Sequence, residues 1–430
     1  VRGADEGFTK GGARPIAPVA AFSAVAVGVF MATLDGSIVN VALPSIRHDL
    51  GASIQGASLV VSAYLLAVSV TLLAAGRLGD AVGLRRVYVG GMLLFAAGSL
   101  LCGLSRTLSL LVAARVVQAL GAAAMMAIGP AAVTAVFPRE RRGRALGGIS
   151  TVVAVGLTAG PPIGGFIVSY FSWPGIFFVN LPVGVAGAVW ATRALPGRMR
   201  ASTPSPSHEG EGRGEGSLLR DRVVALGLAA GLLSYAGLFT QTLLSPFYLS
   251  QVKSLGAGGL GAMLTAVPLA LSVTSPVGGW LADRFGPRGP CLVGSLLLAA
   301  GLLSLSLAGA DDSLASFAAR LALEGAGMGL FQPPNNSAIM GALPRERLGS
   351  GGGLLATART VGMVAGVALG TALFTVGSGV ALPRDGAVLD AGATRAFLAG
   401  WRLALSAGAG LAVVAGVLSL ARSRPRASGA

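Results

Sequence analysis

Asp35, Arg115 and Glu324 stand inside long apolar stretches of the chain. A charge enclosed by hydrocarbon costs a few kcal/mol to insert, so each is a functional candidate from the outset. Of the 17 acidic residues, all but Asp35 and Glu324 fall in loops, tails or at helix ends. Those two are therefore the candidates for carrying a proton through a membrane. Hydrocarbon favours the neutral acid and a neighbouring cation favours the carboxylate, so a group held between both influences can load and release a proton. Asp35, flanked by Gly36, Ser37 and Asn40, fits that description. Glu324 follows Arg320 by four residues, and the spacing predicts an ion pair that would resist protonation. Arg115 leads the segment RVVQALG with Gln118 one turn on. It must face the interior and meet a carboxylate or carbonyls, and it cannot itself give up a proton at physiological pH.

Histidine and cysteine offer no competing chemistry. His48 is expected in an outer loop, His208 in a polar linker, and Cys102 and Cys291 near opposite membrane faces. With no embedded cluster, metal-ligand spacing or nucleophile and base pair, neither an enzyme nor a metal or cofactor site is expected.

Other residues suggest moving parts. Asp80 and Asp283 lie at the ends of their helices, where a carboxylate opposes the helix dipole and needs an arginine or another helix's N-terminus to steady it. The helices beginning near Arg144 and Ser350 are candidates, and such contacts could act as latches. GLTAGPPIGG (156–165) packs four glycines and two prolines into ten residues, which permits close helix contact and a kink; GMVAGVALG (362–370) has a similar small-residue face. Met31, Tyr64, Gln118, Tyr235, Phe239 and Gln241 are the residues expected to line an amphipathic cavity.

The elements that must position these groups follow from composition. Hydrophobic residues make up 53% of the 430 and charged ones 11%, against roughly 25% charged in an average soluble domain. The net charge of +15 comes from Lys and Arg in short clusters between apolar runs, which argues against nucleic acid as a partner. A membrane helix needs about 20 apolar residues. Runs of that size are read at 18–43, 55–76, 87–105, 108–130, 145–168, 173–194, 223–249, 257–281, 290–309, 313–338, 351–378 and 396–420. With cytoplasmic termini, 23 of the 32 basic residues fall inside, six outside and three, Arg115, Arg320 and Arg359, within spans. Short cytoplasmic loops collect Lys and Arg, so that orientation is the expected one.

The chain also repeats itself. GRLGDAVGLRR from Gly76 recurs 203 residues on as GWLADRFGPRG; the AAR ending at Arg115 recurs after 205, and PRERRGR from Pro138 returns after 206 as PRERLGS. An all-α membrane fold of two pseudo-symmetric six-helix bundles is predicted, facing each other as in alternating-access carriers. The expected order is a cytoplasmic tail (1–17), a first bundle (18–195), a disordered cytoplasmic linker (196–222), a second bundle (223–420) and a basic tail (421–430).

Taken together, LDGSIVNVALP (34–44), GRLGDAVGLRR, RVVQALG, GLTAGPPIGG and WPGIFFVNLPVG (173–184) resemble the drug:proton antiporter branch of the major facilitator superfamily. The resemblance covers residues 20–420. It implies proton-coupling or substrate roles for Asp35 and Arg115, and a conformational latch at Gly76, Asp80, Gly83 and Arg85, repeated at Asp283 and Arg284. It also implies an antiport hinge at Gly160, Pro161, Gly164 and Gly165, in the motif that opens at Gly156. The basic residue that usually follows the latch aspartate is Ala81 here, while Arg284 fills the matching place in the second copy. Relatives with two further central helices are common, but residues 196–222 leave no room for them. The expected activity is export of a small amphipathic substrate in exchange for protons by a monomer in the inner membrane; a proton-coupled carrier of one metabolite is the alternative, and a non-transporting sensor or scaffold the more remote one.

Overall fold

The computed structural model describes residues 18–138, 141–196, 220–343, 348–379 and 389–421. The expected N-terminal tail, the expected C-terminal tail beyond Ala421 and nearly all of the expected linker lie outside the described residues.

Twelve helical segments are long and apolar enough to cross a membrane. They are built from α1 (Pro18–Asp49), α2 (Ile54–Val82), α3 (Leu84–Gly103), α4 (Leu108–Val136), α5 (Arg142–Phe171), α6 (Gly175–Phe178) and α7 (Asn180–Ala194) in the first half. The second half comprises α8 (Arg222–Phe247), α9 (Ala257–Leu264), α10 (Ala266–Phe285), α11 (Arg288–Ser306), α12 (Leu314–Gly341), α13 (Leu348–Ser378) and α14 (Ala391–Leu420). The sixth span is α6 with α7, the seventh is α8 extended by a π-turn over Tyr248–Val252, and the eighth is α9 with α10. The first span is longer than expected: α1 runs on to Asp49 through Pro44 and takes Arg47 and His48 out of the loop, with Arg47 buried.

Local chemistry sets the ends. We call the face where α1 begins and α14 ends proximal, and the opposite face distal. On the distal face a short polar side chain starts four of the helices: Ser53 Oγ accepts from Gly56 N (3.0 Å), Thr107 Oγ1 from Leu110 N (3.3 Å), Ser313 Oγ from Ser316 N (3.2 Å) and Asp390 Oδ1 from Ala393 N (2.7 Å). Each cap satisfies a donor the helix cannot. On the proximal face, α2 turns into α3 at Gly83 (φ 106°) and α10 into α11 at Gly286 (φ 81°), a backbone conformation that favours glycine.

The internal repeat is visible in the packing. A methyl at Gly98 would sit 2.5 Å from the Gln118 Cα, and one at Gly301 would sit 2.8 Å from the Glu324 Cα. Likewise Gly121 is pressed on the Phe95 backbone, and Gly327 on that of Leu298. The third span thus maps on the ninth with a shift of 203, whereas the fourth maps on the tenth with 206, as their caps Thr107 and Ser313 also do. The two AAR triplets, 205 apart, are therefore out of register. One residue turns a helix by about 100°, so Arg320 corresponds to Ala114, and Gln118 corresponds to Glu324.

Glycines of α5 and α13 repeat in the same way. Gly156, Gly160 and Gly164 lie against Thr33, Ser37 and Ile38 of α1, while Gly362, Gly366 and Gly370 lie against Leu232, Ala236 and Thr240 of α8. Pro161 stays inside a continuous α5, and its carbonyl faces Gly261 of α9 across the boundary between the halves. Gly165 meets the Ala257 carbonyl there, and Gln55 Nε2 donates to Thr375 Oγ1 at 2.6 Å. These contacts close the distal face.

Candidate functional site

Asp35 is 0% and Arg115 1% exposed, and Arg115 Nη1 donates to Asp35 Oδ2 at 2.5 Å. The other carboxylate oxygen accepts from Gln118 Nε2 (2.8 Å) and from Asn180 Nδ2 (3.0 Å). Gln118 completes a circuit, because its Oε1 takes a bond from Arg115 Nη1 at 2.6 Å while its Nε2 also reaches Ser99 Oγ at 2.7 Å. Arg115 Nε donates to the Val60 carbonyl (3.2 Å), and its guanidinium lies 4.0 Å from the Tyr64 ring centre, where cation–π attraction adds to the clamp. Five spans of one half thus converge on one carboxylate. A buried charge is tolerated only with such pairing and hydrogen bonding.

Arg115 was expected to meet a carboxylate or carbonyls, and it meets both, Asp35 and the Val60 carbonyl. The sequence reading missed Asn180 and Ser99, although Asn180 lies within the segment WPGIFFVNLPVG already singled out. An amide in so apolar a run is the signal that was available.

The expected pair of Glu324 with Arg320 does not form. Arg320 Nη1 reaches Asp312 Oδ2 instead, at 2.7 Å near the distal face. Its long stem lets the head leave the hydrocarbon for the interface. Glu324 is fully buried and neither of its oxygens has a hydrogen-bond partner among the described residues. Leaving a buried acceptor unsatisfied costs about 1–3 kcal/mol. Glu324→Leu, of similar bulk, is accordingly expected to stabilise the folded protein by about that amount. Thermal unfolding followed by a maleimide dye reads this directly, since Cys102 and Cys291 are both buried thiols outside any disulfide. A lower midpoint in the variant would mean that the carboxyl does have a partner.

Of the six expected cavity residues, four are packed rather than open. Met31, Tyr64, Gln118 and Gln241 are buried, with Gln241 Nε2 bonded to Ser245 Oγ at 2.6 Å. Tyr235 and Phe239 are half-buried on α8. The latch residues lie apart: Asp80 and Asp283 are exposed, with no hydrogen bond or ion pair among the described residues, and Arg284 lies near the Trp280 and Phe285 rings of its own helix. Gly76, Gly83 and Arg85 surround the first of these turns.

Two related six-helix bundles, with a charged cluster buried in one and contacts between the two at the distal face, have the architecture of a membrane carrier. The chain belongs to the Major Facilitator Superfamily, whose family model matches residues 25–367 and, in a second alignment, 258–430. It is 33% identical over 396 residues to the riboflavin transporter RibZ of Clostridioides difficile, covering 82% of this chain and 86% of that one. It is also 32% identical over 402 residues to the tetracenomycin C resistance and export protein of Streptomyces glaucescens, covering 80% and 74%. The multidrug resistance protein Stp of Mycobacterium tuberculosis is 30% identical over 397 residues, with the same coverage. These relatives mark a drug-efflux type within the superfamily. Among solved structures, a bacterial homologue of the lysosomal transporter Spinster shares the fold, with a TM-score of 0.77 at 16% identity over 96% of this chain and 98% of that one.

Proposed function

We propose that the chain exports small amphipathic compounds in exchange for protons, acting as a monomer in the inner membrane with both termini cytoplasmic. The bodies that rock are residues 18–195 and 223–420, joined by a linker at 196–222. Asp35 is the main proton-carrying group, Arg115 displaces the proton when it returns to the carboxylate, and Glu324 is a second proton site in the other half. The observation that carries this reading is the enclosure of Asp35, whose bonds to Arg115, Gln118 and Asn180 leave no route to water unless the spans move. Proton exchange and the change of access are thereby tied together, which is what coupling requires.

The cycle begins with the proximal, cytoplasmic side open and substrate entering. Rocking opens the distal side and parts Arg115 from Asp35. Protonation then favours release, and the return step delivers the proton inside. Asp80 with Arg85 and Asp283 with Arg284 latch the proximal side when it closes, and the glycines from Gly156 to Gly165 form the surface on which α5 moves against α1 and α9.

Substrate-induced proton movement in proteoliposomes tests this. Several amphipathic compounds from a panel of differing charge are expected to elicit proton release with the wild type, and Asp35→Asn is expected to abolish it. Undiminished exchange in Asp35→Asn would remove Asp35 from the mechanism. The similarity to a protein named as a riboflavin transporter favours a second reading, a carrier of one metabolite, and saturation by a single compound would select it.

A further inference from the structure

Arg115, Arg320 and Arg359 are the arginines that the sequence places within spans. Arg115 has Asp35 and Arg320 has Asp312, but Arg359 makes no ion pair among the described residues. It stands 11 residues into α13, roughly 16 Å along the axis from the proximal end. Its Nε is buried without a hydrogen-bond partner, and its guanidinium shares a cavity wall with Tyr235 of α8. Gln332 Nε2 of α12 donates to the Tyr235 hydroxyl, and Asn335 Nδ2 donates to the Gly227 carbonyl at 3.3 Å. These side chains line a cavity of about 160 Å³ between α8, α12 and α13. A methyl at Gly352, on its wall, would meet nothing within 4 Å.

A cation at this depth needs a negative partner, and here every neighbour that bonds or lines the cavity is neutral. Gln332 holds Tyr235, and neither neutralises the guanidinium that shares their cavity. The cavity is also smaller than the roughly 300–1,000 Å³ that encloses a drug-sized ligand. It fits an anionic head with one ring, the rest of the molecule extending outward past Gly352.

We infer that Arg359, with Tyr235 and Gln332, is the polar subsite of the substrate pathway, and that it selects amphipathic organic acids, a carboxylate or sulfonate on a planar apolar body. The inference deepens the reading of the chain as a carrier and rests on it for the word substrate; the binding itself does not depend on proton exchange. Arg359 presents its planar fork to the acid group, the arrangement in which arginine outperforms a point charge.

The test is equilibrium binding to the purified full chain in nanodiscs. The three probes share one ring system: 1-naphthaleneacetate, the neutral 1-naphthaleneacetamide and the cationic 1-naphthylmethylamine. The acid is expected to bind about tenfold more tightly than either of the others, as a charge-assisted hydrogen bond in a dry site would give. Arg359→Gln is expected to erase that preference and leave the amide's affinity unchanged within about twofold, Arg359→Lys to retain part of it, and Tyr235→Phe to weaken the acid alone. Absence of acid binding, equal binding of acid and amide by the wild type, or an intact preference in Arg359→Gln would overturn the assignment. Should Arg359→Gln not fold, Tyr235→Phe and Arg359→Lys decide on the same ratio. Proton release in proteoliposomes is read separately. Acid selectivity without proton release would defeat the antiport reading and spare the subsite, and proton release with no acid selectivity would do the reverse.

Discussion

Arg115→Ala is expected to destabilise the folded protein by about 3–5 kcal/mol and to abolish proton-coupled transport. The size follows from what is left behind. Asp35 keeps its bonds to Gln118 and Asn180, but both are neutral donors, and the carboxylate remains 0% exposed with no cation beside it. Removing one member of a buried pair costs far more than the pair contributes, because the survivor stays desolvated. Asp35→Asn should be the milder change for stability, since the guanidinium it leaves behind keeps the Val60 carbonyl, Gln118 Oε1 and the Tyr64 ring as partners. The double variant should therefore recover much of the stability that Arg115→Ala loses, while transport stays absent in all three. Unfolding midpoints from dye labelling of Cys102 and Cys291 supply the cycle, with proton flux as the second readout. If Arg115→Ala unfolds with the wild type, the 2.5 Å contact is not what holds Asp35, and the coupling role of Arg115 falls with it.

Much of this was legible in the sequence, for physical reasons. Hydrocarbon leaves a long apolar run no fold but a helix, so twelve runs gave twelve spans, and the duplicated latch motif gave the halves. Asp35 and Arg115 were conspicuous because charge is so costly in that setting. Ser99 and Asn180 were not, since a small hydroxyl or a lone amide is common in apolar helices and its neighbours are decided by packing across spans. Side-chain spacing alone misled for Glu324 and Arg320. Four residues do place both on nearly one helix face, but a second acid, Asp312, waits at the interface where an arginine head is better solvated. A match of three letters was also weaker than it looked. The AAR triplets agree in sequence, yet the glycine contacts set the true register one residue further on, and it is Glu324 that takes the place of Gln118. Aromatic and amide residues expected in a cavity split between Tyr235, which does line one, and Tyr64, which lies under the Arg115 guanidinium.

Cross-linking Gln55→Cys to Thr375→Cys is expected to stop transport completely and reversibly. The native side chains meet at 2.6 Å, joining α2 of one half to α13 of the other at the distal face. Alternating access demands that this contact break once per cycle, because the distal side cannot open while the two ends stay together. A short bifunctional methanethiosulfonate reagent spans the gap that two shorter cysteine side chains leave, and dithiothreitol releases it. The background is low, as Cys102 and Cys291 are buried in separate halves. Gln55→Cys or Thr375→Cys alone should transport normally with reagent present, which separates the tether from simple modification. Binding of a probe from the proximal side should survive in the tethered protein, since the tether fixes only the distal contact, and Asp80 and Asp283 make no ion pair among the described residues. Transport that continues through the tether would mean that the halves do not part at this face, and the rocking cycle built on Asp35 would have to be replaced by a movement inside a single half.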